Sequence, residues 1–152
     1  MEQSLIDNFM NEAYLEALKA YDKDEVPVGA VVVYNNEIIA RAHNIRHQNN
    51  LIHGHAEFLA LELAAKKIGS WRLEDCYVFV TLEPCAMCAG AMVQARIKKC
   101  YFSALDLKSG AVNSIIEMFN LPFNHHVDSE YYEDFGRSSK LLKDFFAKKR
   151  KK

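Results

Sequence analysis

Along the chain the apolar positions change period several times, and each change marks an element. Leu5, Phe9, Met10, Ala13, Ala17 and Leu18 recur at helical spacing, which predicts an amphipathic first helix over about 3–21. The charged run Asp22-Lys23-Asp24-Glu25 ends that period, and Pro27 has no N–H with which to resume it. Val28 to Tyr34 then reads as a strand, Asn35-Asn36 as a two-residue turn, and Glu37 to Ala42 as the hairpin partner. A polar loop covers His43 to Gly54. From His55 the pattern is helical again, with Ala56, Leu59, Ala60, Leu63 and Ala64 on one face and Gly69 as the C-cap.

Asp75 to Leu82 is a dense apolar run, the pattern of a strand buried on both faces. Cys85 opens another helix reaching about Ala95, and Lys99 to Ser103 reads as a further strand. The order β–α–β–α–β points to a sheet covered by helices on both faces. After Leu105 the pattern weakens to a Gly-containing loop, a short helix near Ser114–Phe119 and a final helix from about Ser138 onward.

Composition narrows the class. The chain has 152 residues, half of them hydrophobic and 26% charged, which fits one domain over 1–152 and excludes a disordered chain. Its longest apolar stretch, Val26 to Tyr34, is far short of the roughly 20 residues that span a bilayer. The start, Met1-Glu2-Gln3-Ser4, lacks the basic-then-apolar order of a signal peptide, so a cytoplasmic protein without membrane association is expected.

Nineteen basic and twenty acidic residues give a net charge of −1, which is no global signature of nucleic-acid binding. The distribution is uneven, however. Lys148 to Lys152 are all basic, and without them fourteen basic residues face twenty acidic ones. Such a basic tail, on a helix over about 138–152, is either a phosphate-binding patch or a solvated helix end. Four cysteines are too few for a disulfide scaffold, and Cys76 and Cys100 sit in strand-like apolar runs as buried thiols.

Cys85 and Cys88 are different. Cysteines at i and i+3 on one helical turn project to the same side, as a single metal requires. A catalytic zinc takes three protein ligands and leaves a fourth position open, and His55 with the two thiolates supplies the three. Both pieces begin helices, whose N-terminal partial positive charge favours thiolate over thiol. Glu57 lies too near His55 in sequence to share the metal comfortably, and is better placed to take a proton from zinc-activated water and return it to the substrate. Two plainer readings stand beside this one. The Cys-x-x-Cys could be a redox pair, or the zinc could be structural with His53, His43 or His47 as fourth ligand. Only His55 has a glutamate two places on, which makes it the favoured imidazole.

His-x-Glu followed by Pro-Cys-x-x-Cys is the signature of zinc nucleobase deaminases. The chain resembles the bacterial tRNA adenosine deaminases over nearly its whole length. The likeness runs through Val26 to Val31, Asn44, Trp71-Arg72-Leu73, Val80 to Cys85, Cys88 to Met92, Asp106 to Ala111, Asn124-His125-His126 and the terminal Phe145-Phe146 with its basic run. That resemblance implies a cytidine-deaminase-like three-layer α/β/α sandwich with a central mixed sheet of about five strands. It also implies a homodimer with one zinc per chain, acting on the wobble adenosine of a tRNA anticodon loop and making inosine, with no DNA substrate.

Carried over residue by residue, Glu57 would be catalytic and His55, Cys85 and Cys88 the metal ligands. Asn44, Ala56 and Val28 would bind the base, with Asn44 orienting the flipped adenine and the Ala56 amide holding its ring edge. Arg46, Asp106, Lys108 and Phe146 would contact RNA, with Lys140 and Lys143 near phosphates. The chain departs from the family at Leu51-Ile52-His53-Gly54, where Asp-Pro-Thr-Ala is usual, and at Ile45-Arg46, where Arg-Pro is usual. Two rival functions remain: a deaminase of free guanine, cytosine or cytidine, and a non-catalytic zinc-stabilised RNA-binding module. The second has no need of Glu57.

Overall fold

The structure, a computed structural model, describes residues 1–150; Lys151 and Lys152 of the basic tail lie outside the described residues. Helix α1 spans Gln3–Asp22 and stops where the Lys23 and Glu25 N–H groups turn back to the Ala20 carbonyl. Strand β1 (Gly29–Tyr34) pairs antiparallel with β2 (Glu37–His43) across a turn in which Asn35 and Asn36 both hold positive φ, at 51° and 62°. That is the backbone of a type I′ hairpin, whose twist matches the strands it joins. The register slips by one between Val32 and Val33, leaving Ile39 as the extra residue.

Helix α2 (Ala56–Ile68) ends at Gly69, whose φ of 81° makes it the predicted left-handed cap. β3 (Tyr77–Val80), α3 (Ala86–Gln94) and β4 (Lys99–Phe102) form a parallel crossover, and β5 (Asp128–Tyr131) adds parallel to β4. The sheet order is β2-β1-β3-β4-β5, antiparallel through β1 and parallel beyond β3.

Alternation along β1 builds the layers. Ala30 and Val32 join Val78, Val80, Cys100 and Phe102 against α2 and α3, whereas Val31 and Val33 join Phe79 and Tyr101 against Ile6, Phe9, Met10 and Ala13 of α1. α1 lies so close to β1 that a Cβ on Gly29 would come within 2.1 Å of the Ala13 carbonyl oxygen. Only glycine fits there. α4 (Arg137–Arg150) runs parallel to α1: Arg137 bonds Asn11 and covers the Tyr14 ring, Phe145 meets Tyr21 edge-on, and Lys149 pairs with Asp24.

The expected α/β/α sandwich with a mixed sheet is therefore present. Three details differ from the sequence reading. α2 buries Leu61 where Leu63 was expected, and Leu63 is half exposed. β5 carries no alternation because all four of its residues are exposed on an edge. The short helix near Ser114–Phe119 is absent; the chain there is irregular until a 3₁₀ turn at Met118–Asn120, because the Ile115 and Met118 N–H groups bond to the Gly110 and Ala111 carbonyls instead of to partners at helical spacing.

Candidate active site

His55 and Cys85 are the N-cap residues of α2 and α3. Both have extended backbone, and neither side chain caps its own helix. Each is thus free to turn toward the other. His55 Nδ1 stands 3.6 Å from Cys85 Sγ and 3.5 Å from Cys88 Sγ, and the three ligand atoms lie within 4.8 Å of one another. Zn–N and Zn–S bonds of about 2.0 and 2.3 Å at tetrahedral angles separate N from S by about 3.6 Å. The donor set and spacing fit zinc with one coordination position left open.

Among the described residues no fourth histidine, cysteine or carboxylate joins the group. His43 lies between Glu16 and Lys23, and His53 packs its ring against Phe58. His47 sits on an exposed loop. The structural-zinc alternative therefore finds no ligand among them.

Their mutual bond drives the two thiols in opposite directions. The Cys88 thiol bonds to Cys85 and, against the opposing effect of burial and with help from His55, carries the Cys85 thiol down to about 3. Cys88, as the donor in that bond and fully buried, is pushed up. His55 is raised by its bond to Cys85. Glu57, in the first turn of α2, is only 4% exposed, and burial lifts its carboxyl to about 7.

The group opens on a cleft of about 1430 Å³ lined by His55, Glu57 and Cys85. That is larger than the roughly 300–1,000 Å³ of a small-molecule pocket. Its wall holds Val28, Asn44, Arg46, Asp106, Lys108 and Phe146, which brings the remaining predicted contacts to one place. Ala56 is the exception, fully buried behind the wall. Its N–H donates to Asn44 Oδ1 at 2.7 Å, so the amide fixes Asn44. The two terminal phenylalanines separate: Phe145 is 4% exposed and belongs to the core, while Phe146 is half exposed in the cleft. Lys143, Lys149 and Arg150 line the cleft, whereas Lys140 pairs with Asp144 outside it.

Sequence reasoning missed two residues, Glu25 and Glu83, both buried under the rim. The available signal was an acid at the edge of an apolar segment: Glu83 follows Val80-Thr81-Leu82, and Glu25 precedes Val26-Pro27-Val28. Burial tends to raise the Glu83 carboxyl, but hydrogen bonds from Ser114, Asn113 and Asp106 carry it below the ordinary carboxylate value.

Comparison with known proteins agrees with this geometry. The model of the MafB19-like deaminases matches residues 6–150, which defines the class as a deaminase with the cytidine-deaminase-like sheet described above. A tRNA-specific adenosine deaminase of Bacillus subtilis (strain 168) is 45% identical over 148 residues, spanning 95% of this chain and 90% of its own. A solved structure from work on A-to-I editing by tRNA:A34 deaminases superposes with a TM-score of 0.85 at 39% identity, covering 89% of this chain and 99% of the other. A guanine deaminase from Bacillus subtilis is more distant, with a TM-score of 0.63 at 26% identity over 82% of this chain and 88% of that one. The chain belongs to the tRNA-specific adenosine deaminases.

Proposed function

We propose that this chain is a zinc-dependent hydrolase that converts the wobble adenosine of a tRNA anticodon loop to inosine, releasing ammonia. The observation that carries the reading is the triad His55, Cys85 and Cys88 beside buried Glu57, at the floor of a cleft with room for several nucleotides. His55, Cys85 and Cys88 would hold one zinc per chain. When bound, zinc lowers the pKa of a coordinated water to about 7, which supplies a nucleophile for C6 of the base. Glu57 takes a proton, delivers it to N1, and moves a second to the departing N6. Asn44, held by the Ala56 amide, presents its side chain to the base, and Val28 forms an apolar wall.

Arg46, Lys108, Lys143 and Phe146 on the cleft wall suit an anionic strand with exposed bases, and Asp106 shapes the loop that carries Lys108. An anticodon base is already unpaired, so bringing it to the floor costs little. The family resemblance further supports a homodimer at work in the cytoplasm, where its tRNA is. The test is conversion of an anticodon stem-loop by the zinc-loaded protein beside free adenine, adenosine, cytidine and guanine. Inosine in the stem-loop alone is expected. Rapid turnover of a free base with an inert stem-loop would transfer the assignment to a free-base deaminase.

A further inference from the structure

Two carboxylates of the cleft lie outside the reacting group, and their environments are alike. Glu83 is 2% exposed and Glu25 is 1% exposed. The Glu83 carboxylate accepts the backbone N–H groups of Asp106, Val112, Asn113 and Ser114 at 2.7–3.2 Å, and the Ser114 hydroxyl at 2.5 Å. Glu25 accepts the N–H groups of His47 at 3.1 Å and Gln48 at 2.5 Å. A carboxylate offers about four lone-pair sites and no donor, so it can gather several N–H groups that no neutral side chain could satisfy together. A glutamine in its place would turn an NH₂ toward amides that already donate.

The two loops so held are the facing rims of the cleft. One carries Arg46 and Leu51, the other Asp106 and Lys108. Each is closed upon itself: Asp106 accepts the Lys108 and Ser109 amides, and the Ile45 amide bonds the Gly54 carbonyl. Each therefore holds its own shape, and in each one buried carboxylate adds the side-chain bonds that help seat it. The seating is tight at Gly110, where a Cβ would stand 2.3 Å from the Glu83 carboxyl carbon. Glu83 is also tied to the reacting group, since Pro84 accepts the Ala111 amide and Cys85 bridges to Gly110.

We propose that Glu83 and Glu25 are positioning residues that set substrate affinity by holding the two rim loops in register with the reacting group. The affinity part rests on the RNA-editing reading above. The experiment uses zinc-loaded Glu83→Gln and Glu25→Gln, read by steady-state kinetics on a stem-loop and by hydrogen exchange at individual amides. Leaving these buried and part-buried amides unpaired should raise KM about tenfold or more while kcat changes less than about threefold. In Glu83→Gln the amides of Val112, Asn113 and Ser114 should exchange at least about tenfold faster, with His47 and Gln48 unchanged, and Glu25→Gln should give the converse. Each variant is thus the control for the other.

Should Glu83→Gln fail to fold, Ser114→Ala removes one donor and leaves the backbone bonds, and should raise KM about threefold. Accelerated exchange at both loops in either variant, or a loss in kcat with KM unchanged, would overturn the proposal. A wild-type protein inert on stem-loops would overturn the editing reading instead, and the loop-specific exchange pattern would still decide the pinning.

Discussion

Replacing Glu57 with glutamine keeps the shape of a side chain that is 4% exposed and removes its capacity to carry a proton. General acid–base catalysis contributes about 10²–10⁴-fold, and the structure places the expected loss near the upper end. No other carboxylate of the cleft is free to substitute. Glu83 is filled by backbone amides and the Ser114 hydroxyl, each Glu25 oxygen holds a backbone amide, and Asp106 caps its own loop through the Lys108 and Ser109 amides. A loss of about 10³–10⁴-fold follows, roughly 4–5.5 kcal/mol of transition-state stabilisation. The assay is single-turnover conversion of adenosine to inosine in a stem-loop with enzyme in excess, so that product release does not mask the step. Metal content and stem-loop affinity are measured on the same preparation, and both should match the wild type. A variant retaining a tenth of the wild-type rate would refute the proton-carrying role. Loss of metal together with rate would make Glu57 a support of the metal group.

Cys85→Ala and Cys88→Ala should each bring bound zinc from about one per chain to near zero by metal analysis, and wild-type content in either would refute the ligand set. Chelation of the wild type should lower the melting temperature measured by calorimetry, because the metal joins the starts of α2 and α3. Phe145→Ala, in the core against Tyr21, should cost about 3–5 kcal/mol in denaturant unfolding, whereas half-exposed Phe146→Ala should stay within about 1 kcal/mol and weaken stem-loop binding. Each phosphate contact contributes about 0.7–0.9 to the slope of log K against log salt, so Lys143→Ala should flatten it and Lys140→Ala, outside the cleft, should not.

The parts of the fold legible in the sequence are those with a local cause. The β1–β2 hairpin follows from two asparagines that tolerate positive φ between alternating strands. The end of α2 follows from Gly69. The metal group was legible for a similar reason: Cys85 and Cys88 need only one helical turn, and His55 is marked out by Glu57. β5 was not legible by pattern, because Asp128-Ser129-Glu130-Tyr131 is an exposed edge held by pairing with β4 and not by burial. Nor were the duties of Glu25 and Glu83. Their amide partners lie more than twenty residues away, and a buried carboxylate is tolerable only once tertiary folding delivers them. The helix expected near Ser114–Phe119 fails for a like reason, since the Ile115 and Met118 N–H groups take the Gly110 and Ala111 carbonyls.

The inward commitment of these carboxylates also bears on how the molecule looks to an approaching polyanion. Formal charge makes the chain nearly neutral, and by that count the cleft is hardly attractive to RNA. Yet Glu25 and Glu83 face convergent amide dipoles inside the protein, and those dipoles offset their field where it would otherwise reach the opening. Arg46, Lys108, Lys143 and Arg150 face the same opening. The potential met by a phosphate there is more positive than the residue count implies, so encounter should be faster than the isoelectric point suggests and should slow as salt is added.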